Sequence, residues 1–393
     1  VTITVEARPW QGGLEVTVKD DGAGFDTALP ELQNTSSRRF SGIGMGNVRQ
    51  RVALVYGPAA SMTVEELVAA AQKEGQLFSV GMPDEWANWV SLWNHMTETY
   101  GIKHSDTDMS SAEELARFEL QGKADADIGD IGISMTGVAM EKDLLLPFKP
   151  STWDSIPDYA KEENGKWIMA YTCTTAFMTD LDNVEKAPTT WQELLEGDYK
   201  VWIGDIEKAA QAYVGVLACA VSLGGDETNL EPAMPFFAEL AKQGRLITSN
   251  PYVENIEKGE VGVAVVWDFN ALGYAETIYE SQGENNGRFA ITIPTDGAAA
   301  SGYASVINKY ANNPYAAMLA REIMLSDVGQ EFLALGHAKP IRTDVAFSDE
   351  AKAAILDNSQ YENVYQVKDW TAFDATVAEL PELWAENVAI HMN

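Results

Sequence analysis

EKGEVGVAVVWDFNAL, residues 257–272, is the most informative stretch of the chain. A helix is predicted to end at Lys258 and Gly259, because glycine readily adopts the left-handed conformation that closes a helix. The apolar run that follows has the length and composition of a buried strand. Trp267 and Asp268 come at its carboxyl end, where open α/β sheets bind their ligands. The stretch therefore predicts a core strand that ends at a cleft.

The same alternation of strand and helix extends over residues 62–393. A helix begins at Thr63, a residue type that caps helices, and a strand follows over residues 77–80. Further strands are predicted toward Asp108, over residues 126–130 and from residue 200, each followed by a helix. Such alternation predicts parallel-rich sheets flanked by helices, and its length predicts two lobes.

The acidic charge of the chain lies entirely in this longer part. The first sixty residues contain six basic and six acidic residues, so the whole net charge of −32 falls beyond them. A field of this sign repels nucleic acid and anionic membrane surfaces, and we expect no nucleic-acid partner. No apolar run reaches the eighteen or so residues of a membrane span.

Cysteines, histidines and other residue types that act in catalysis or metal binding form no recognisable active-site pattern. Cys173 and Cys219 stand among apolar or small residues, which predicts two buried thiols rather than a disulfide or a metal site. The four histidines are scattered, and no nucleophile elbow appears. We therefore expect no catalysis, no metal and no cofactor.

The first sixty residues have a different character. Residues 14–20 alternate apolar and polar side chains like a half-buried strand and run into a tight turn over residues 20–26. Residues 41–51 place a glycine-rich stretch at the start of a helix, where backbone N–H groups can approach phosphate. Taken alone, each of these two patterns is weak evidence for a nucleotide-binding site.

Together the two segments resemble the C-terminal ATP-binding domain of sensor histidine kinases over about 57 residues. The resemblance implies an adenine contact and a phosphate-side glycine box, carried by Asp20, Gly22, Gly24, Gly42, Gly44 and Gly46. The family's magnesium-binding Asn helix, phosphoacceptor His and closing strands have no counterpart here. We therefore interpret residues 1–60 as a truncated histidine-kinase ATPase-like α/β fragment, vestigial or fused.

Residues 62–393 resemble the family-1 extracellular solute-binding proteins of ABC importers. The resemblance follows residues 65–75, 127–130, 191–201, 257–268, 301–309 and 313–330 in collinear order. It implies the two-lobed, type II periplasmic-binding-protein (Venus-flytrap) α/β fold. Lobe 1 would comprise residues 62–175 and 297–393, and lobe 2 residues 176–296. Hinge strands are expected near residues 171–176 and 294–302.

The same resemblance implies a setting and partners. We expect a periplasmic or extracellular monomer that delivers a small solute to the permease subunits of an ABC importer, although residues 1–6 lack the basic and apolar signature of a signal peptide. The family includes binding proteins for ferric iron, polyamines, thiamine and phosphonates.

The expected ligand site follows the predicted strand ends. Ser110 and Ser111 come at a helix start directly after a strand, where hydroxyl and N–H groups hold carboxylate or phosphonate oxygens; alternatively, Ser110 caps the helix in a box with Glu113. The full set of predicted ligand-binding residues is Asp84, Trp86, Ser110, Ser111, Ser134, Tyr171, Thr174, Asp205, Gln211, Trp267, Asp268 and Tyr303.

The predicted function is capture of a small polar, anionic solute, a carboxylate or phosphonate, by lobe closure. Two alternatives stay open. One is an ATP-binding signalling enzyme related to sensor histidine kinases. The other is a polyamine or ferric-ion binding protein, since Asp106, Asp108, Asp127 and Asp130 favour a cation unless they only form turns. The chain lacks the adjacent tyrosine pair that ferric-binding members use.

Overall fold

The computed structural model of the chain describes residues 3–10, 13–20, 62–84, 86–123, 125–249 and 253–392, with backbone alone in the first two ranges. The chain divides into two compact units, residues 1–58 and 59–393. In the first, β1 (Ile3–Trp10) and β2 (Gly13–Asp20) pair as an antiparallel hairpin. The strand predicted over residues 14–20 is thereby confirmed. The glycine motif (Gly22, Gly24, Gly42, Gly44 and Gly46) and the side chain of Asp20 lie outside the described residues.

In the longer unit, strands and helices alternate along the chain. The strands are β3 (Gln76–Val80), β4 (Lys103–Thr107), β5 (Ile128–Gly132), β6 (Trp167–Asp180), β7 (Val201–Trp202), β8 (Leu246–Ile247), β9 (Val263–Trp267), β10 (Phe289–Thr292), β11 (Ala298–Ile307), β12 (Lys339–Pro340) and β13 (Val364–Gln366). The helices are α1 (Val64–Glu74), α2 (Trp89–Tyr100), α3 (Ser111–Phe118), α4 (Thr136–Glu141), α5 (Trp191–Glu196), α6 (Ala210–Ser222), α7 (Met234–Lys242), α8 (Val253–Glu257), α9 (Asp268–Gln282), α10 (Pro314–Met324), α11 (Asp327–Leu335), α12 (Asp349–Ala354) and α13 (Trp370–Asn387).

One curled sheet joins two halves of this unit through β6 and β11. The strand order is β4-β3-β5-β11-β6-β9-β7-β8. Residues of β6 up to Thr174 pair with β11, whereas residues from Thr175 onward pair with β9. We call the half around β3, β4 and β5 the first half-sheet and the half around β7, β8 and β9 the second half-sheet. The change of partner falls inside the stretch predicted as a hinge.

The pairing is more mixed than the predicted parallel-rich sheet. β3 pairs in parallel with β4 and β5, and β7 with β8 and β9. β6 and β11, however, run antiparallel to each other and to their other main neighbours. Only the part of β6 near residues 171–176 was predicted, as a hinge strand, because the residues of β6 show no steady alternation of apolar and polar types.

Local signals in the sequence explain where the helices begin. Thr63 caps α1 through a reciprocal box with Glu66, with hydrogen bonds of 3.2 and 3.0 Å. Gly75 closes the same helix with a positive φ of 70°. Cys173 and Cys219 are buried and unpaired, as predicted.

The order of elements brings polar side chains to one edge of each half-sheet. α3 begins four residues after β4 ends, and α9 begins directly after β9. The helix starts and the ends of the parallel strands therefore face the space between the half-sheets. Among the described residues, no helix has the length and apolar character needed to cross a membrane.

Candidate functional site

A cleft of about 550 Å³ lies between the two half-sheets. One wall comes from the loop after β3, the start of α3, β5 and β11, including Gly81, Trp86, Ser111 and Tyr303. The facing wall comes from β7, α6, β9 and α9, including Trp202, Gln211, Trp267, Asn270 and Tyr274. The volume suits a small organic solute.

Aromatic rings form much of the cleft lining. The ring of Trp86 meets Tyr303 edge to face at 5.4 Å between centroids and Phe269 at 5.8 Å. Tyr303 stacks on Tyr171 at 5.6 Å. The indole nitrogen of Trp86 is buried and has no hydrogen-bond partner among the described residues. These contacts fix the rings and leave one donor of the lining uncommitted.

Asp130 lies in the middle of β5, on the cleft, and is 3% exposed. The Tyr171 hydroxyl donates a hydrogen bond of 2.7 Å to its Oδ2. Its Oδ1 is buried and has no partner within the part of the chain that the structure describes. Burial raises the pKa of Asp130 to about 8, although the bond from Tyr171 acts in the opposite direction.

A second buried carboxyl, that of Glu114 in α3, lies beside Asp130. Glu114 Oε2 accepts a hydrogen bond of 3.1 Å from the backbone N–H of Asp130. A methyl group at Gly81 or Gly129 would come within 2.3 Å of a Glu114 oxygen, so the two glycines leave the space that this carboxyl fills. Burial, and then the nearby Asp130, raise the pKa of Glu114 well above its usual range.

Positive charge is scarce in the cleft. Among the described lining residues, Lys208 carries the one formal cation, and its Nζ lies 3.3 Å from Oδ2 of Asp205. The side-chain amide of Gln211 donates to the carbonyls of Ile203 and Val265, at 2.8 and 3.2 Å. Lys208 and Gln211 are therefore already engaged by the second half-sheet.

The two serines at the start of α3 have different partners. Both the hydroxyl and the N–H of Ser110 donate to Glu113 Oε2, at 2.7 and 2.9 Å, as the predicted capping alternative requires. Ser111 Oγ accepts the N–H of Gly132 at 3.0 Å, which ties α3 to the end of β5. Within the described part of the chain, the Ser111 hydroxyl donates to no acceptor, so its hydrogen can serve a solute.

Comparison with known families and structures identifies the class of protein. The sequence model described as "Bacterial extracellular solute-binding protein" matches residues 126–376, more than half of the chain. The chain belongs to the bacterial extracellular solute-binding proteins. No curated protein sequence matches the chain closely enough to count as a relative.

Solved structures of this class share the fold of our solute-binding protein. A spermidine/putrescine ABC transporter substrate-binding protein from Streptococcus pneumoniae is 18% identical, with a TM-score of 0.62 over 80% of this chain and 99% of that one. An iron-bound protein from Pseudomonas aeruginosa is 17% identical, with a TM-score of 0.61 over 79% and 98%. A periplasmic binding protein from Actinobacillus pleuropneumoniae with fructose-6-phosphate bound is 18% identical, with a TM-score of 0.61 over 80% and 98%.

These likenesses confirm the two-lobed periplasmic-binding-protein fold predicted from the sequence. They give no support to the resemblance of residues 1–57 to a sensor histidine kinase. The short motifs at Asp20 and residues 42–46 that suggested a kinase are therefore not sufficient to assign that family.

Half of the predicted ligand-binding residues meet around the cleft of the solute-binding protein. The residues that line it are Trp86, Ser110, Ser111, Gln211, Trp267 and Tyr303. The remaining six, Asp84, Ser134, Tyr171, Thr174, Asp205 and Asp268, lie outside the lining. Of these, Tyr171 donates a hydrogen bond to the lining residue Asp130, and Asp205 forms an ion pair with the lining residue Lys208.

Asp268 turns into the protein rather than into the cleft. Its Oδ1 accepts the backbone N–H of Thr174 and of Phe269, both at 3.0 Å, and its Oδ2 accepts the Tyr361 hydroxyl at 2.7 Å. Ser134 is likewise buried, with its Oγ 3.4 Å from the Tyr213 hydroxyl. These two side chains support the walls of the cleft from behind.

The sequence signals for several lining residues were not recognised. Glu114 occupies the first turn of α3, where an acidic residue is ordinarily explained by the helix dipole. Three lining residues lie at or just after strands of the second half-sheet. Trp202 is the last residue of β7, and Asn270 and Tyr274 follow the end of β9 by three and seven residues. A search at the carboxyl ends of the strands could therefore have found them. Asp130 was considered only as a turn residue or a general cation ligand.

Proposed function

We propose that the solute-binding protein captures one small polar solute in the cleft by closing lobe 1 (residues 62–175 and 297–393) on lobe 2 (residues 176–296). The observation that carries this proposal is that the two cleft walls belong to opposite half-sheets joined through β6 and β11. Strands of this kind permit a hinge motion, and a solute that contacts both walls would favour the closed form.

The loaded protein would deliver its solute to the permease subunits of an ABC importer, outside the cytoplasmic membrane. Membership of an extracellular solute-binding family supports both the partner and the location. A binding role without chemistry is consistent with a cleft lined by aromatic rings, amides and two carboxyls. A monomer suffices for this function.

The charges of the cleft favour a neutral or cationic solute over the anion predicted from the sequence. Ser110 donates both of its hydrogens to Glu113, so one of the two serines expected to hold an anion is engaged. Lys208, the one cation of the described lining, is paired with Asp205. Two carboxyls remain on the lining, Glu114 and Asp130. Proteins of the same fold are named for iron, polyamines or a sugar phosphate, so the fold is compatible with a solute of either charge.

A thermal-shift screen against small carboxylates, phosphonates, polyamines, thiamine and ferric ion tests the binding role. A solute that binds the folded form raises the melting temperature, by an amount that grows with its concentration over Kd. We expect one solute class to do so. A melting temperature that no solute raises would contradict the proposed function.

A matched pair of tyrosine variants locates the binding. Tyr274 lines the cleft, whereas Tyr159 is 66% exposed and outside it. Tyr274→Ala should lower the affinity for the solute identified by the screen about tenfold, the effect of removing one buried aromatic contact. Tyr159→Ala should leave the affinity unchanged.

A further inference from the structure

Building on the proposed function, we propose that the solute is a protonated amine that binds at Oδ1 of Asp130 and displaces one proton from that carboxyl. The carboxylic acid loses its proton to solvent, and the resulting carboxylate accepts a hydrogen bond from the ammonium group of the solute. The number of covalent bonds in the solute does not change.

The first support is the unused oxygen of Asp130. Its Oδ2 is occupied by Tyr171, while its Oδ1 is buried without a partner in the described part of the chain. A buried polar atom of this kind is costly unless a partner satisfies it. An ammonium group supplies a donor and a charge that stabilises the carboxylate.

The second support is the aromatic lining around the same point. Trp86 and Tyr303 contact each other on one wall, and Trp202, Trp267 and Tyr274 face them from the other. The faces of such rings attract cations, most strongly when water is excluded. Apolar methylene groups of an alkylamine would also pack well against them.

The third support is the balance of charge around Asp130. The titratable groups that face it are Glu114 from α3, Tyr171 and Cys173 from β6 and Tyr303 from β11, while Asp106 and Asp108 face Glu114. Each of these groups is neutral or acidic. Lys208, on the opposite wall, already pairs with Asp205.

Proton release follows from the ionisation of Asp130. Burial raises the pKa of Asp130 to about 8, so this carboxyl is mostly protonated at neutral pH when no solute is bound. Glu114, whose pKa burial raises well above the usual range, accepts the N–H of Asp130. An ammonium ion at Oδ1 requires the ionised form of Asp130, so binding and proton loss are linked.

The test is isothermal titration calorimetry of the whole chain with butylamine, 1,4-diaminobutane and spermidine, and in parallel with acetate, succinate and methylphosphonate. At least one amine should bind. Its association constant should rise about tenfold per pH unit from pH 6 to 7.5, since one proton must leave, and should level off near pH 8. Repeating the titration at pH 6.5 in buffers of different ionisation enthalpy should show the release of about one proton.

Two variants assign the effect to Asp130. Asp130→Asn keeps the shape of the side chain but cannot ionise, so amine affinity should fall at least about tenfold and lose its pH dependence. Asp158→Asn removes the same formal charge at an exposed position and should change neither. Tyr171→Phe removes the hydrogen bond that favours the ionised form, so the affinity should level off at a higher pH.

The outcomes separate this inference from the proposed function. Binding of an anion but of no amine, or amine binding that is flat between pH 6 and 8, overturns the amine site and leaves solute capture intact. Amine binding that Asp130→Asn does not weaken overturns it as well. If no compound of either panel binds, both the amine site and the proposed function are contradicted.

Discussion

Asp268, the first residue of α9, accepts the backbone N–H of Thr174 at 3.0 Å. At Thr174 the pairing of β6 changes from β11 to β9. The same carboxylate accepts the Tyr361 hydroxyl, whose segment leads into β13. Burial raises the pKa of Asp268 to about 6. One buried side chain therefore joins β9, β6 and the C-terminal segment at the predicted hinge.

Replacement of Asp268 should weaken the hinge region. Asp268→Ala leaves the N–H of Thr174 without its acceptor in a buried place, which costs about 1–3 kcal/mol for each donor left unsatisfied. We expect a lower midpoint of urea denaturation, followed by tryptophan fluorescence. Tyr361→Phe removes only the bond to Oδ2 and should lower the midpoint less. An unchanged midpoint for Asp268→Ala would show that the carboxylate does not support the hinge.

The pH dependence of stability should report the buried Asp130. Its pKa is about 8 in the folded protein and near 4 in an unfolded chain, so the folded state holds the extra proton between these values. The stability contributed by that proton is complete below pH 4 and is lost as the pH rises through 8. Asp130→Asn should therefore be more stable than the parent at pH 9, and the difference should shrink toward pH 5. Parallel pH curves for the two proteins would contradict this assignment.

Ion pairs of the second half-sheet should differ in strength according to burial. Arg288 donates two hydrogen bonds of 2.9 Å to Asp180, and both side chains are buried. Arg288→Ala leaves a buried carboxylate unpaired, a change that costs about 3–5 kcal/mol.

The exposed pair of Lys186 and Glu193, at 2.8 Å, provides the control. Lys186→Ala should lower the denaturation midpoint far less than Arg288→Ala, because solvent screens such pairs. Equal losses in the two variants, measured by chemical denaturation, would mean that burial does not set the strength of the Asp180 pair.

Ser110 should act on the helix rather than on the solute. It donates to Glu113 at the start of α3, so Ser110→Ala should lower stability by about 0.5–2 kcal/mol through loss of the cap. The affinity for the solute should stay the same. A large loss of affinity with an unchanged melting temperature would restore the original prediction that this hydroxyl holds an anion.

The sequence predicted best what local physical chemistry controls. Thr63 begins α1 as expected, and the predicted strand ends at Trp267, where the apolar run gives way to Asp268. The crossing strand β6 was not foreseen in full, because its length and its change of partner depend on residues far away in the chain. The strand β1 was also missed, although its partner β2 is its neighbour in the chain.

For the candidate site, the sequence predicted which chain positions lie near the cleft but not the direction in which each side chain points. Trp86 and Trp267 follow strands and line the cleft, as the strand-end rule expects. Asp268 also follows a strand, but its carboxylate turns inward to Thr174, which no local pattern indicates. Glu114 reaches the cleft only because Gly81 and Gly129 leave space for it. Such contacts between distant segments have no signature in a single sequence.

Tryptophan fluorescence during titration with small solutes tests the central claim most directly, because Trp86, Trp202 and Trp267 all line the cleft. Adding 1,4-diaminobutane, spermidine, succinate or methylphosphonate separately should give, for one class, a saturable change in emission at one solute per chain. Emission that none of these solutes changes at millimolar concentration would contradict solute capture in the cleft.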